Sequence, residues 1–124
     1  MLVSMVRSKL HHARVTDANI EYVGSITIDT DLLDAAKMVP YEQVLVVDVD
    51  NGARFETYII PGEAGSRTIT VNGAAAHLVK LGDRLIVLAF ALVDFPPPAG
   101  WQPQVVVLDE HNNVHHVELE GRYA

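Results

Sequence analysis

Apolar residues in this chain come in short β-branched runs, each cut off by a turn signal, and that pattern is the strongest limit on its fold. Gln43 to Val49 is such a run, of the kind that a buried strand requires. Asp50-Asn51-Gly52 follows it, and Asn-Gly tolerates positive φ at both positions of a tight hairpin turn. Arg54 to Ile60 reads as the return strand, Pro61 to Ser66 as a loop and Thr68 to Val71 as a further strand. Leu81-Gly82-Asp83 turns into the long strand Arg84 to Val93. Upstream, Met1 to Val15 sets Val3, Met5, Leu10 and Ala13 among polar residues, while Asn19 to Tyr22 and Ser25 to Ile28 are two short strands around Gly24. Asp29 to Lys37 is the clearest helix: Asp29 or Asp31 caps it, Leu32, Leu33 and Ala36 share a face, and Pro40 stops it. Pro96-Pro97-Pro98 ends regular pairing, because proline gives no ladder N–H, and Gln104 to Leu108 and Val114 to Leu119 form a last hairpin around His111-Asn112-Asn113. Many short strands with one or two small helices predict a mainly β chain, closed into a small barrel and organised as one domain over residues 1–124.

Charge and cysteine content narrow the function. Sixteen acidic against nine basic residues give a net charge of −7, whereas a nucleic-acid module needs a basic face to displace counterions. The absence of Cys excludes disulfides, thiolate zinc sites and a cysteine nucleophile. The longest apolar run, Leu85 to Val93, falls well short of the roughly 20 residues of a membrane span. Arg7 and Lys9 are followed by no apolar core, so no signal peptide is expected and the cytoplasm is the default address.

Three local patterns carry chemistry, each beside a plainer reading. Tyr22-Val23-Gly24-Ser25 is either a turn between strands or a site of self-processing. In the second case the Ser hydroxyl attacks the carbonyl before it and converts an amide into an ester, and a small preceding residue leaves room for the attack. Elimination of that ester leaves dehydroalanine, and hydrolysis leaves a pyruvoyl group. Asn72-Gly73-Ala74-Ala75-Ala76-His77 is either a tight turn into a packed helix or a place where a ligand approaches the backbone closely. Lys9, Arg54, Thr57 and Tyr58 are either solvated surface groups or, pointing together, a carboxylate clamp in which Arg supplies a planar fork. His11-His12 and His111 with His115-His116 are the candidate metal ligands, but adjacent residues on a strand point to opposite faces, so neither pair chelates well and no metal is expected. Trp101 and the prolines before it read as packing at the barrel edge.

Taken together, Lys9-Leu10-His11, Tyr22-Val23-Gly24-Ser25, Asn51-Gly52-Ala53-Arg54, Thr57-Tyr58, Gly65-Ser66-Arg67 and Asn72-Gly73-Ala74-Ala75-Ala76-His77 resemble, in order and spacing, the pyruvoyl-dependent aspartate decarboxylases. The resemblance spans roughly residues 1 to 95, and residues 96–124 carry little of it. It implies a double-psi β-barrel, a homotetramer with active sites between neighbouring subunits, and cleavage between Gly24 and Ser25 that leaves a covalent pyruvoyl group at Ser25. The implied reaction takes L-aspartate to β-alanine and CO2 for pantothenate and coenzyme A synthesis, with the substrate amine held at Ser25 as a Schiff base. Lys9 and Arg54 would hold the retained side-chain carboxylate, and Tyr58 would return a proton to carbon. Asn72, Gly73, Ala74 and Ala75 would orient substrate. Thr57, as an oxyanion donor, and Tyr22 would assist cleavage at Gly24 and Ser25. Some family members carry an aromatic where Val47 stands, so Val47 and Ile86 would form this pocket wall. The residues do not say whether cleavage is spontaneous or needs a maturation factor. A competing reading is an adaptor module on the same kind of barrel, which would keep Gly24-Ser25 as a turn.

Overall fold

The computed structural model describes residues 1–119, and the final part of the expected C-terminal region, residues 120–124, lies outside the described residues. Nine strands form one sheet with two short helices: β1 (Leu2–Arg14), β2 (Asp17–Asn19), β3 (Ser25–Asp29), α1 (Thr30–Ala36), β4 (Gln43–Asp48), β5 (Arg54–Gly62), β6 (Ile69–Asn72), a 3-10 helix (Gly73–Leu78), β7 (Arg84–Asp94), β8 (Gln104–Leu108) and β9 (Val114–Leu119). The spatial order is β2-β6-β3-β5-β4-β7-β1-β8-β9. Three pairings, β1–β8, β2–β6 and β3–β5, are parallel, and the rest are antiparallel. The expected mainly β, barrel-like architecture is therefore what forms.

Period-2 alternation explains the core. Leu10, Ile26, Val46, Ile59, Val71, Val87 and Val106 come from seven different strands, and all are fully buried in one cluster. The sheet thus curves around a single interior and presents its other face outward. Leu32, Leu33 and Ala36 of α1 join that cluster, and α1 lies against β1, β3, β5 and β8.

Several expected boundaries shift for identifiable reasons. Asn19 to Tyr22 is not a strand: β2 ends at Asn19, whose side chain accepts the Glu21 N–H at 3.0 Å and turns the chain. Ile20, Tyr22 and Val23 have no core to cover and stay exposed. β5 runs on through Pro61 and Gly62, because this end pairs in parallel with Ile28 and Asp29 of β3. Helix α1 ends before Pro40 acts, with Lys37 left-handed at φ +57 and its N–H on the carbonyls of Leu33 and Asp34. His11 and His12 do not point apart. His12 sits at φ +66 in a bulge of β1, and the two rings stack with centroids 3.9 Å apart. Trp101 is half-buried, and its indole N–H donates to the carbonyl of Val6 at 2.7 Å. Among the described residues, no helix is long and apolar enough to cross a membrane.

One buried carboxylate ties the helix start to the loop before β6. Asp29 is fully buried. It caps α1 through the Asp31 N–H and also accepts the N–H groups of Gly65 and Arg67 and the Arg67 guanidinium. Burial opposes its ionisation, yet the Arg67, Asp31 and Gly65 N–H groups and the Arg67 guanidinium outweigh that and hold its carboxyl below the usual range. Gly65-Ser66-Arg67 is thus a scaffold for Asp29. Because the folded value is depressed, this stabilisation is present above the unfolded value of about 3.9 and is lost as pH falls through the lower folded value. Asp29→Ala is expected to cost about 2–4 kcal/mol in urea denaturation at pH 7, and the gap from the parent should close toward acid pH. A gap unchanged on acidification would show that the ionised form is not what stabilises.

Candidate active site

Ser25 stands where an exposed turn enters the sheet. Val23 and Gly24 are exposed, whereas Ser25, the first residue of β3, is only 4% exposed. Antiparallel pairing sets Ser25 opposite Asn72 of β6. The Asn72 amide Nδ2 donates to Ser25 Oγ and to Thr27 Oγ1, each at 3.0 Å. The Ser25 hydroxyl in turn donates to the carbonyl of Val23 at 3.3 Å. A hydroxyl held from both sides does not rotate freely, and its oxygen stays beside its own peptide bond.

The next residue brings the backbone in close. Gly73 has φ +75, and a Cβ there would lie 2.5 Å from Gly24 Cα, 2.7 Å from Gly24 N and 3.0 Å from the Tyr22 carbonyl oxygen. A Cβ added at Gly24 would meet nothing within 4 Å. The steric demand expected at Gly24 therefore falls on Gly73, across the contact. Ala74 and Ala75 follow in the 3-10 helix, the first exposed and the second half-buried against the core.

A cavity of about 420 Å³ opens over this point, lined among others by Tyr22, Ser25, Thr27, Tyr58 and Asn72. Tyr58 reaches it because β5 lies parallel to β3 with Ile59 level with Ile26, which brings Tyr58 to the Ser25 side of the sheet. Its ring packs 6.4 Å from that of Tyr41 at an interplanar angle of 25°. Thr57 alternates to the opposite face, level with buried Val44, and does not line the cavity. Thr27 was not singled out in the sequence. Period-2 spacing from Ser25 is the signal that places it on the same wall.

The expected clamp lies elsewhere on the same outward face. Arg54 is level with Val47 on β4, Val47 with Ile86 on β7, and Ile86 with His11 on β1. Lys9 belongs to the adjacent row, level with Leu88 and, across β7, Leu45. Arg54 is exposed, and Val47 and Ile86 are half-buried. At about 3.3 Å per residue, Arg54 stands roughly 13 Å along β5 from Tyr58. At about 4.8 Å per strand, Lys9 stands roughly 19 Å across the sheet from β3. One chain thus brings Tyr22, Ser25, Tyr58 and Asn72 together and holds Lys9, Arg54, Val47 and Ile86 in a separate group. The histidines form no metal cluster among the described residues. The group of acidic side chains that does converge is Asp48, Asp50 and Asp83.

Comparison with known proteins identifies the family. The family model described as aspartate decarboxylase matches residues 1–115. An aspartate 1-decarboxylase of Carboxydothermus hydrogenoformans is 52% identical over 92% of this chain and 90% of its own. One from Thermosipho africanus is 53% identical over 94% of this chain and 96% of its own. One from Desulfitobacterium hafniense is 47% identical over the whole of both chains. With the matched span covering every element from β1 to the start of β9, the chain belongs to the aspartate decarboxylase family.

Proposed function

We propose that this chain is a self-processing decarboxylase that removes carbon 1 of L-aspartate to give β-alanine, the precursor that pantothenate and coenzyme A synthesis draws on. The observation that carries the reading is the Ser25 hydroxyl, held by Asn72 beside a Gly24 backbone on which Gly73 is seated. The adaptor alternative needs Gly24-Ser25 only as a turn. It gives no reason for a buried, oriented hydroxyl or for family membership over 115 residues.

Processing follows from covalent geometry. Ser25 Oγ attacks the Gly24 carbonyl through a five-membered ring, and the acyl group moves from nitrogen to oxygen. Loss of the Ser25 α-proton then expels the Gly24 carboxylate. Water replaces the freed nitrogen, which leaves as ammonia. The products are a chain of residues 1–24 and a chain of 100 residues that begins with a pyruvoyl group. Asn72 keeps the hydroxyl aimed, and Tyr22 borders the segment that is cut. Thr57, adjacent to Tyr58 but outside the cavity, is the expected oxyanion donor of this step.

The residues fit the pyruvoyl group. Gly73 leaves a cradle against residue 24 that a Cβ would fill, and the Asn72 amide stands at the hydroxyl oxygen that departs with the Gly24 carboxylate, beside the carbon that becomes the keto carbon. When present, that group supplies the electron sink for the carbanion left by CO2. Lys9 and Arg54 hold the side-chain carboxylate that the substrate retains, with Arg54 giving a planar two-point contact. Val47 and Ile86, level with Arg54, form an apolar wall beside it. Asn72 and the backbone at Gly73, Ala74 and Ala75 orient the substrate. Tyr58, in the cavity with Ser25, returns the proton to carbon. The separation of Lys9 and Arg54 from Ser25 within one chain supports sites built between neighbouring copies, in the homotetramer that the family resemblance implies. The proposal places the enzyme in the cytoplasm.

Two measurements test the reading. Cyanoborohydride reduction with L-aspartate should attach substrate mass to the chain beginning at residue 25, and Ser25→Ala should remain uncut and take none. Cleavage at the same bond in Ser25→Ala would refute the chemistry. Arg54→Ala should process normally but lose about 100-fold or more in kcat/KM for aspartate. Unchanged kinetics would remove Arg54 from the carboxylate contact.

A further inference from the structure

A second cluster of chemistry lies at the turns flanking β4 and β7. Asp48 ends β4, Asp50 sits in the following turn, and Asp83 immediately precedes β7. One carboxylate oxygen from each lies within 4.8 Å of the other two. Asp48 is fully buried. Its Oδ1 accepts the N–H groups of Asp50 at 2.8 Å and Asn51 at 3.3 Å, while its Oδ2 is buried with no hydrogen-bond partner.

The surrounding groups leave that oxygen uncompensated. Asp83 Oδ2 accepts the Lys80 N–H at 2.9 Å. Asp50 accepts the Arg84 N–H at 2.7 Å and binds the Arg84 guanidinium at 2.6 and 3.1 Å. Arg14, level with Arg84 across β1 and β7, keeps its Nε buried and unpartnered. Neither guanidinium reaches Asp48 Oδ2, and the side chain that faces it is a second carboxyl, Asp83. Burial, then the facing Asp83, push the Asp48 carboxyl above the usual carboxylate range. An ionised oxygen out of water and without a donor is costly, and a bridging cation removes that cost.

We propose that Asp48, Asp50 and Asp83 form a binding site for a hard divalent cation of the Ca2+ type, which locks the Asn51-Gly52 hairpin to the start of β7. An all-oxygen donor set suits Ca2+ or Mg2+ rather than Zn2+ or Cu2+. Ca2+ takes oxygens at about 2.3–2.6 Å in flexible geometry, so ligands on opposite sides of it lie up to about 5 Å apart, in keeping with the spread of these three oxygens. Asp50 and Asp83 are partly open to solvent, which leaves coordination positions for water. The hairpin is already tied down by Asn51 Nδ2, which donates to the Leu78 carbonyl at 2.7 Å, and by the Gly52 N–H on the Asp48 carbonyl. A cation there would fix the turn from which Arg54 issues. The site lies apart from Ser25 and does not depend on what reaction the chain performs.

Thermal unfolding of the full-length protein near pH 7.5 tests this, with CaCl2 at a few millimolar compared with NaCl at matched ionic strength. A Ca2+-specific rise in Tm of about 3 °C or more is expected, with a smaller rise for MgCl2. Asp83→Asn should lose the response while remaining folded, because its amide still accepts the Lys80 N–H and can donate to Asp48 Oδ2. Should Asp83→Asn fail to fold, Asp50→Asn asks the same question. No Ca2+-specific rise in the parent protein would overturn the site and leave a carboxyl pair bridged by a shared proton. An equal rise in the variant would overturn it too. Neither failure touches the decarboxylase reading, since turnover is not measured.

Discussion

The contact between Asn72-Gly73 and Gly24-Ser25 is the constraint on which the rest of this site depends. Two neighbouring residues on β6 and the following turn do two different things. The amide of Asn72 holds the Ser25 hydroxyl, and the missing side chain of Gly73 lets the Gly24 backbone lie against it. A hydroxyl next to a peptide bond is ordinary chemistry in any Ser-containing chain. What is unusual is to find that hydroxyl buried, held by two hydrogen bonds and joined to an exposed turn that a reaction could release. β-pairing supplies this without a dedicated loop, because Ser25 and Asn72 are directly opposite in an antiparallel ladder.

The sheet also decides what one chain cannot do. Alternation puts Arg54 and Tyr58 on the same outward face of β5, and the register carries that face through Val47 and Ile86 to β1. The strand spacings that give the sheet its regularity keep Lys9 far from Ser25. A substrate as small as aspartate cannot span that distance. That separation is what the proposed function answers with sites built between neighbouring copies. Leu2, Phe90 and Leu92, on the ends of β1 and β7, leave an exposed apolar stretch on that face.

Much of the fold was legible in the sequence because its signals were local. The β-branched run from Gln43, the Asn51-Gly52 turn and the long apolar run ending near Val93 each specify their own conformation and fell where expected. The errors came where tertiary partners decide. Ile20 and Tyr22 look like strand residues, but the described strand ends at Asn19 and leaves them exposed. Pro61 looks like a loop residue, yet it continues β5 because its partner there is parallel. His12 breaks the alternation through a bulge in the pairing of β1 with β7.

The site was legible as a set of residues and not as a geometry. Motif spacing brought out Ser25, Asn72, Gly73 and Tyr58, which the sheet does gather. It could not show that Thr57 faces away from the cavity, that Thr27 shares the Asn72 amide with Ser25, or that Gly73 rather than Gly24 bears the steric demand. Each of these depends on which strand lies alongside, and that information is absent from any single run of residues. Denaturing mass spectrometry of the purified, matured wild-type chain is the most direct measurement. Two species are expected, residues 1–24 and a larger chain lighter by one ammonia than a Ser25-started polypeptide. A single intact species that nonetheless decarboxylates aspartate would contradict the central claim.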